Sequence, residues 1–347
     1  MLRPRFFLIL AFFATLHSPD SLAGGSLLFE SSDTLELVLD VPMRTLLRNA
    51  RKKPVLDGQL RYLDSGGREV TIDLTITTRG KSRLAHCSFP PLSITLDNGQ
   101  TASTLFAGQR KLKIVTHCRN GLKYKRYFHQ EHGIYRAYNL LSDHSFRVRM
   151  LAVIFRDNEQ KRRDQTVPGF FIESDDEVAR RVNMITIKTN SIRPSQFNVA
   201  ETNIYEVFQY MIGNTDWAIR KGPGSERCCH NGKVIGPAGA EENWVVLPYD
   251  FDQSGIINTE YALPAIGLGI RNVRQRLYRG RCSHNEQLKE TFALFNERRS
   301  DIAAALTPQA LSEKSQKTVL KYLEGFFDNI NDPKKLKRKV LDHCRGV

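Results

Sequence analysis

Beyond residue 23 the chain lacks any apolar run long enough to cross a bilayer as a helix. It also lacks H-E-x-x-H and G-x-S-x-G, which removes the zincin and nucleophile-elbow hydrolase readings. Tryptophan is scarce, with Trp217 and Trp244 only. Paired carboxylates could serve a glycosidase, but acidic motifs set among basic residues, with two tryptophans in all, are a poor setting for a sugar cleft. There is no internal repeat and no Pro/Ser-rich linker. Negative charge is in deficit: 37 Asp and Glu stand against 51 Lys and Arg, a net +14. Basic residues concentrate in Arg110–Arg126, Arg271–Arg281 and Lys334–Lys339. Such surfaces attract phosphates, other anionic ligands and anionic membrane surfaces. No nucleic-acid-binding motif accompanies them, so nucleic acid is not the expected partner.

The N-terminus reads as a processing signal. Arg3 and Arg5 precede an apolar run from Phe6 to Leu16, and Ser21-Leu22-Ala23 offers small residues before Gly24. That pattern predicts a signal peptide over residues 1–23 and an exported protein, periplasmic or secreted. Export makes the cysteines interpretable. All six (Cys87, Cys118, Cys228, Cys229, Cys282 and Cys344) follow the signal, and an even number predicts disulfides. Cys87 with Cys118 is the favoured pair, since each ends or begins a strand-like run. Cys282 is expected to join Cys228 or Cys229, because neighbouring cysteines rarely bond to each other. A zinc site from Cys228, Cys229 and His230 is the competing idea, but the usual ligand spacing is missing.

The 347 residues, 41% hydrophobic, suffice for a large core and one or two domains. From Leu27 to Val115 the signal is strand-like. Thr34–Leu39, Gln59–Leu63 and Val70–Thr77 alternate, and Ser65-Gly66-Gly67 and Asp97-Asn98-Gly99 supply turns. Leu92–Leu96 and Lys111–Val115 continue the pattern, with a short helix expected within Val41–Arg51. At Phe128 the period changes to helical, through Leu141. Strands are then expected over Phe146–Phe155 and Pro168–Glu173, and Ser174 reads as a helix cap. Glu201–Ile212 and Ser312–Asn329 have helical spacing, and Trp244–Leu247 is a short buried strand. The reading is an α+β chain. A β-rich lobe runs over residues 24–125 and a helix-rich lobe over 126–347.

Two acidic motifs stand out, each after an apolar element: Gly213-Asn214-Thr215-Asp216-Trp217 and Pro248-Tyr249-Asp250-Phe251-Asp252. Between them lies a polar, Gly-rich insert that carries Cys228-Cys229-His230. Ahead of them come a strand lysine, Lys113, and a helix glutamate, Glu131. This is the order of parts in phosphoryl transfer of the kinase kind. A lysine offsets phosphate charge and is held by a glutamate, one Asp orients the acceptor hydroxyl, and a later Asp meets the hard Mg²⁺ ion.

These stretches resemble a known family. Arg79-Gly80-Lys81-Ser82 is similar to the RGNS stretch of the CotH spore-coat kinases. Glu131–Arg149 looks like their helix and following strand. Pro248–Asp252 resembles their PWDxD motif, and Asn214–Trp217 the catalytic-loop NxD shared with HipA-type kinases. The resemblance spans about Ile76 to Gly255. It implies a two-lobed protein-kinase-like fold, ATP with Mg²⁺ or Mn²⁺, and an envelope or secreted protein as substrate. By position it implies Asp216 as the catalytic Asp, Lys113 or Lys111 with Arg79 at phosphate, Glu131 as the lysine's partner, and Asp250 as metal ligand. Asp252 would be a second ligand or a cap. The departures are Ala218 and Lys221, where related kinases place polar or metal-binding groups. Asn231 or His230 fills that place only if the insert folds back. The alternative is a binding or structural protein without catalysis.

Overall fold

The structure is a computed structural model that describes residues 26–80 and 82–346. The expected signal peptide and Lys81 lie outside the described residues. The alternating runs form strands β1 (Leu35–Val41), β2 (Leu56–Leu63), β3 (Glu69–Thr78), β4 (Leu92–Leu96) and β5 (Lys111–Thr116). Three short helices interrupt them: α1 (Met43–Arg48), α2 (Ser82–His86) and α3 (Asn98–Thr101). The long helix α4 (Leu122–Asn139) then crosses to β6 (Val148–Asp157) and β7 (Gln165–Ile172). It begins before the expected Phe128, after Gly121 at φ 115°, a backbone conformation that suits glycine.

The two-lobed kinase-like fold is not what the chain forms. β1 to β7 close into a barrel in the order β1-β2-β3-β4-β5-β7-β6. The sheet does not end near residue 125, because β6 and β7 complete it. The closing seam is a parallel pairing of β1 with β6, from Leu35 against Leu151 to Val41 against Asp157. The other seams are antiparallel. Closure leaves β1 and β6 without a free edge. Inward residues such as Leu37, Leu39, Ile72, Ile76, Ile94 and Phe171 fill the barrel.

After the barrel come α5 (Asp175–Arg181), β8 (Ile185–Thr186) and α6 (Val199–Ile212). Ser174 caps α5 by accepting from the Glu177 backbone N–H, as its sequence signature predicts. β9 (Gly232–Gly236) and β10 (Val245–Pro248) join β8 in a small antiparallel sheet, order β10-β9-β8. Helices α7 (Leu288–Glu297), α8 (Arg299–Leu306), α9 (Glu313–Asn331) and α10 (Pro333–Lys339) complete the described chain. The main core joins α4 and α6 to α9 through Phe208, Phe251, Phe295 and Phe326. β10 and the C-terminal end of α6 are therefore set in one packed body, and both acidic motifs leave from it.

All six cysteines are paired. Cys87 bonds Cys118, as expected. Cys282 bonds Cys344, not the 228/229 pair, and Cys228 bonds its neighbour Cys229. The first correction has a local cause: a parallel bridge between Arg281 and Arg345 brings the Cys282 and Cys344 Cα atoms to 5.0 Å. The second follows, since it leaves Cys228 and Cys229 only each other. With both sulfurs in a disulfide, the zinc reading loses its thiolates.

Candidate functional site

The first acidic motif is shaped by Gly213. It ends α6 in the left-handed region, φ 66°. A Cβ there would lie 2.0 Å from the Tyr322 hydroxyl, so only glycine fits. Asn214 then makes a turn of its own. Its side-chain oxygen accepts from the Asp216 N–H at 2.9 Å, and its carbonyl accepts from Trp217 Nε1 at 3.0 Å. The turn directs the Asp216 carboxylate toward the insert.

The insert does fold back onto it. Ala218 and His230 exchange backbone hydrogen bonds at 3.1 and 3.0 Å. Asn231 Nδ2 donates to Asp216 Oδ2 at 2.9 Å and to the Asp216 carbonyl at 2.8 Å. His230 Nε2 lies 2.9 Å from Asp216 Oδ1 and Nδ1 lies 3.3 Å from Glu226. The hydrogen bond to Asp216 raises the His230 pKa, with Glu226 adding to it against partial burial. Asn231 has a second task. Its carbonyl accepts from the Tyr249 N–H at 3.1 Å. One residue thus ties the first motif to the strand end that presents the second.

Asp250 follows β10 in the left-handed region, φ 62°, unusual for a residue with a side chain. Its N–H donates to the Tyr135 hydroxyl at 3.1 Å. Asp216 and Asp250 line one cleft of about 490 Å³, with Arg79, Arg83, Lys53 and Lys233 among the cations around them.

Arg83, which no motif singled out, organises the floor. Its Nε donates to Asp252 Oδ2 at 2.8 Å and one Nη to both Glu131 oxygens at 2.8 Å. The same Nη lies 3.5 Å from Asp250 Oδ1. Burial works against the guanidinium charge, but Asp252, Glu131 and Asp250 together hold its pKa well above the usual arginine value. Burial raises the Glu131 pKa, with Arg83 opposing. Burial, then Asp252, pushes Asp250 up to about 7, though its side chain keeps 40% exposure at the cleft. Tyr261 also donates to Asp252 Oδ2, at 3.2 Å.

The lysine–glutamate clamp expected from sequence does not form. Lys113 Nζ lies 4.0 Å from Asp175 and sits over the rings of Tyr249 and Phe146, at 4.8 and 5.5 Å. Burial lowers its pKa to about 8, with Asp175 opposing. Lys111 is exposed at the start of β5. Neither lysine lines the cleft, whereas Arg79 does, donating to the Tyr249 hydroxyl and to the Leu92 carbonyl. Glu131 serves Arg83 instead. Asp252 is committed to Arg83 and Tyr261 and acts as a bolt in the floor.

Among the described residues no group of three His, Cys, Asp or Glu is placed to hold a metal ion unaided. Mg²⁺ rarely asks for that, since it keeps waters and takes one or two carboxylates plus substrate phosphates. Asp250 suits this role. Its carboxylate reaches solvent, is crowded by other negative groups, and has only a long contact to Arg83. Asp216 and Asn231 line the same cleft. Compared with protein-family models and with curated proteins, the chain shows no significant match.

Proposed function

We propose that the cleft binds a nucleoside triphosphate with Mg²⁺ or Mn²⁺ and transfers its terminal phosphoryl group to a hydroxyl of an envelope or secreted protein. One observation carries the reading. Asn231 links Asp216 to the strand end of Asp250, so two carboxylates from separate motifs share a cleft with Arg79 and Lys233. Asp216 is the acceptor for the substrate hydroxyl. It takes the proton as the new O–P bond forms and the nucleoside diphosphate leaves. Arg79, Lys53 and Lys233 offset the charge of the phosphates. Asp250 would hold the cation, which supplies electrostatic stabilisation of the transferring group. The motif likeness to the CotH spore-coat kinases supports the same chemistry. The three disulfides support export.

A second reading has its own support. Arg83 neutralises Glu131 and Asp252, and Lys113 stands away from Glu131, as in a cleft that binds an anionic ligand without turning it over. Incubation of the disulfide-intact protein with γ-labelled ATP, each metal and envelope proteins separates the two. Labelled product that falls by a factor on the order of 10² or more in Asp216→Ala supports catalysis. Nucleotide binding without product selects the second reading, and neither binding nor product rejects both.

A further inference from the structure

A separate cavity of about 210 Å³ shares no lining residue with the cleft. Five cationic side chains line it: Arg220, Lys221, Arg279, Arg281 and Arg345. Glu206 is the one carboxylate there, engaged through one oxygen while the other is buried without a hydrogen-bond partner among the described residues. Its Oε2 lies 3.0 Å from His284 Nδ1 and accepts from the Arg281 N–H at 3.3 Å. Burial also raises its pKa, which favours the neutral form. None of the five cations has an ion-pair partner among the described residues.

The fold forces this crowding. The Cys282–Cys344 disulfide and the Arg281–Arg345 bridge fix two arginines side by side, with Cys282 N–H donating to the Arg345 carbonyl at 3.0 Å and Arg345 N–H to Gly280 at 2.8 Å. Burial, then Arg345, lowers the Arg279 pKa to about 10. Arg281 is lowered by burial and then by Arg220, and Arg345 by partial burial, with Glu206 opposing the shift in both. Arg279 Nε is buried and has no acceptor among the described residues. Like charges held this close, with a donor unused, call for an anion. Guanidinium forks match the oxygen geometry of phosphate.

We propose that this cavity is a second binding site, for a tetrahedral oxyanion: phosphate, free or as a phosphomonoester group. The site also touches the Asp216 loop. Arg279 donates to the carbonyls of Thr215 and Trp217, on either side of Asp216, the latter at 2.9 Å, and its guanidinium lies 4.6 Å from the Trp217 ring. An anion drawn to Arg279 therefore changes the surroundings of Trp217. The inference does not depend on phosphoryl transfer in the cleft.

The test is a titration of the disulfide-intact protein with inorganic phosphate, read by calorimetry and by tryptophan fluorescence. Saturable binding with a fluorescence change is expected, weakened roughly tenfold or more in Arg281→Gln/Arg345→Gln and kept in the cleft variant Arg79→Gln. If the double variant does not fold, the exposed Arg345→Gln alone serves, with a smaller loss expected. Phosphoserine added in place of phosphate distinguishes a free ion from a group carried on a larger molecule, and either one binding supports the site. Saturation by neither phosphate nor phosphoserine at millimolar concentration overturns the proposal. So does an affinity unchanged by the Arg281 and Arg345 variants, or one lost only in Arg79→Gln.

Discussion

Arg83 holds Glu131 and Asp252 at 2.8 Å and lies 3.5 Å from Asp250, so its removal leaves two buried carboxylates without their counter-charge beside a third at the cleft. The Arg83 pairs with Glu131 and Asp252 are buried, and breaking a buried ion pair from one side costs about 3–5 kcal/mol. Arg83→Met should lose stability on that scale near neutral pH, read as a denaturant midpoint. The deficit should shrink in acid, where protonated carboxyls need no counter-charge. An unchanged midpoint at pH 7 would show that the network contributes little. Glu177 gives a second residue-scale prediction. Burial, then Glu173, raises its pKa to about 7 from 4.5, although Gln109 donates to one oxygen. A raised acid pKa favours the neutral form in the fold. Stability is therefore full below the unfolded pKa and lost as pH rises through the folded one. Glu177→Gln should gain roughly 1–3 kcal/mol at pH 8 and close on the parent below about pH 4.5. A gain equal at both pH values would contradict this. Neither role was legible in sequence. Arg83 is one of 51 basic residues and meets its partners across 48 and 169 positions of chain. The motif order supplied a lysine for Glu131, while packing gave it an arginine from a helix of five residues.

At the scale of elements, α2 is too short to be stable alone, and Cys87 follows it directly. The Cys87–Cys118 bond ties that helix, and with it Arg83, to the end of β5. It closes a loop with a sequence separation of 31. Cys87→Ser should cost about 4 kcal/mol in the chain-entropy account, measured by denaturant unfolding against the parent. No change would mean that the bond is not holding α2. This pair was legible because both cysteines flank strand-like runs. The Cys282 partner was not, because it depends on the C-terminal chain returning beside Arg281. The insert shows the same division. Its polar, Gly-rich composition marked a loop, but the Ala218–His230 hydrogen bonds that bring Asn231 to Asp216 join positions whose local sequence carries no strand signal.

For the whole molecule, periodicity located most strands and the long helices, because period 2 and period 3.6 are local properties. Sheet order is not local. The parallel pairing of β1 with β6 joins residues more than a hundred positions apart and closes the expected β-rich lobe into a barrel. The two acidic motifs were legible as loops after apolar elements. Their convergence on one cleft rests on α6, β9 and β10 packing as one body. The proposed phosphoryl transfer requires that Asp250 and this cleft hold a nucleotide with its metal. Thermal unfolding of the disulfide-intact protein with millimolar ATP and Mg²⁺ or Mn²⁺ tests it most directly. Ligand that binds only the folded state must raise Tm. A rise that needs both nucleotide and metal, and that vanishes in Asp250→Ala, is the predicted result. No rise with either metal, or a rise that survives Asp250→Ala undiminished, would contradict the account.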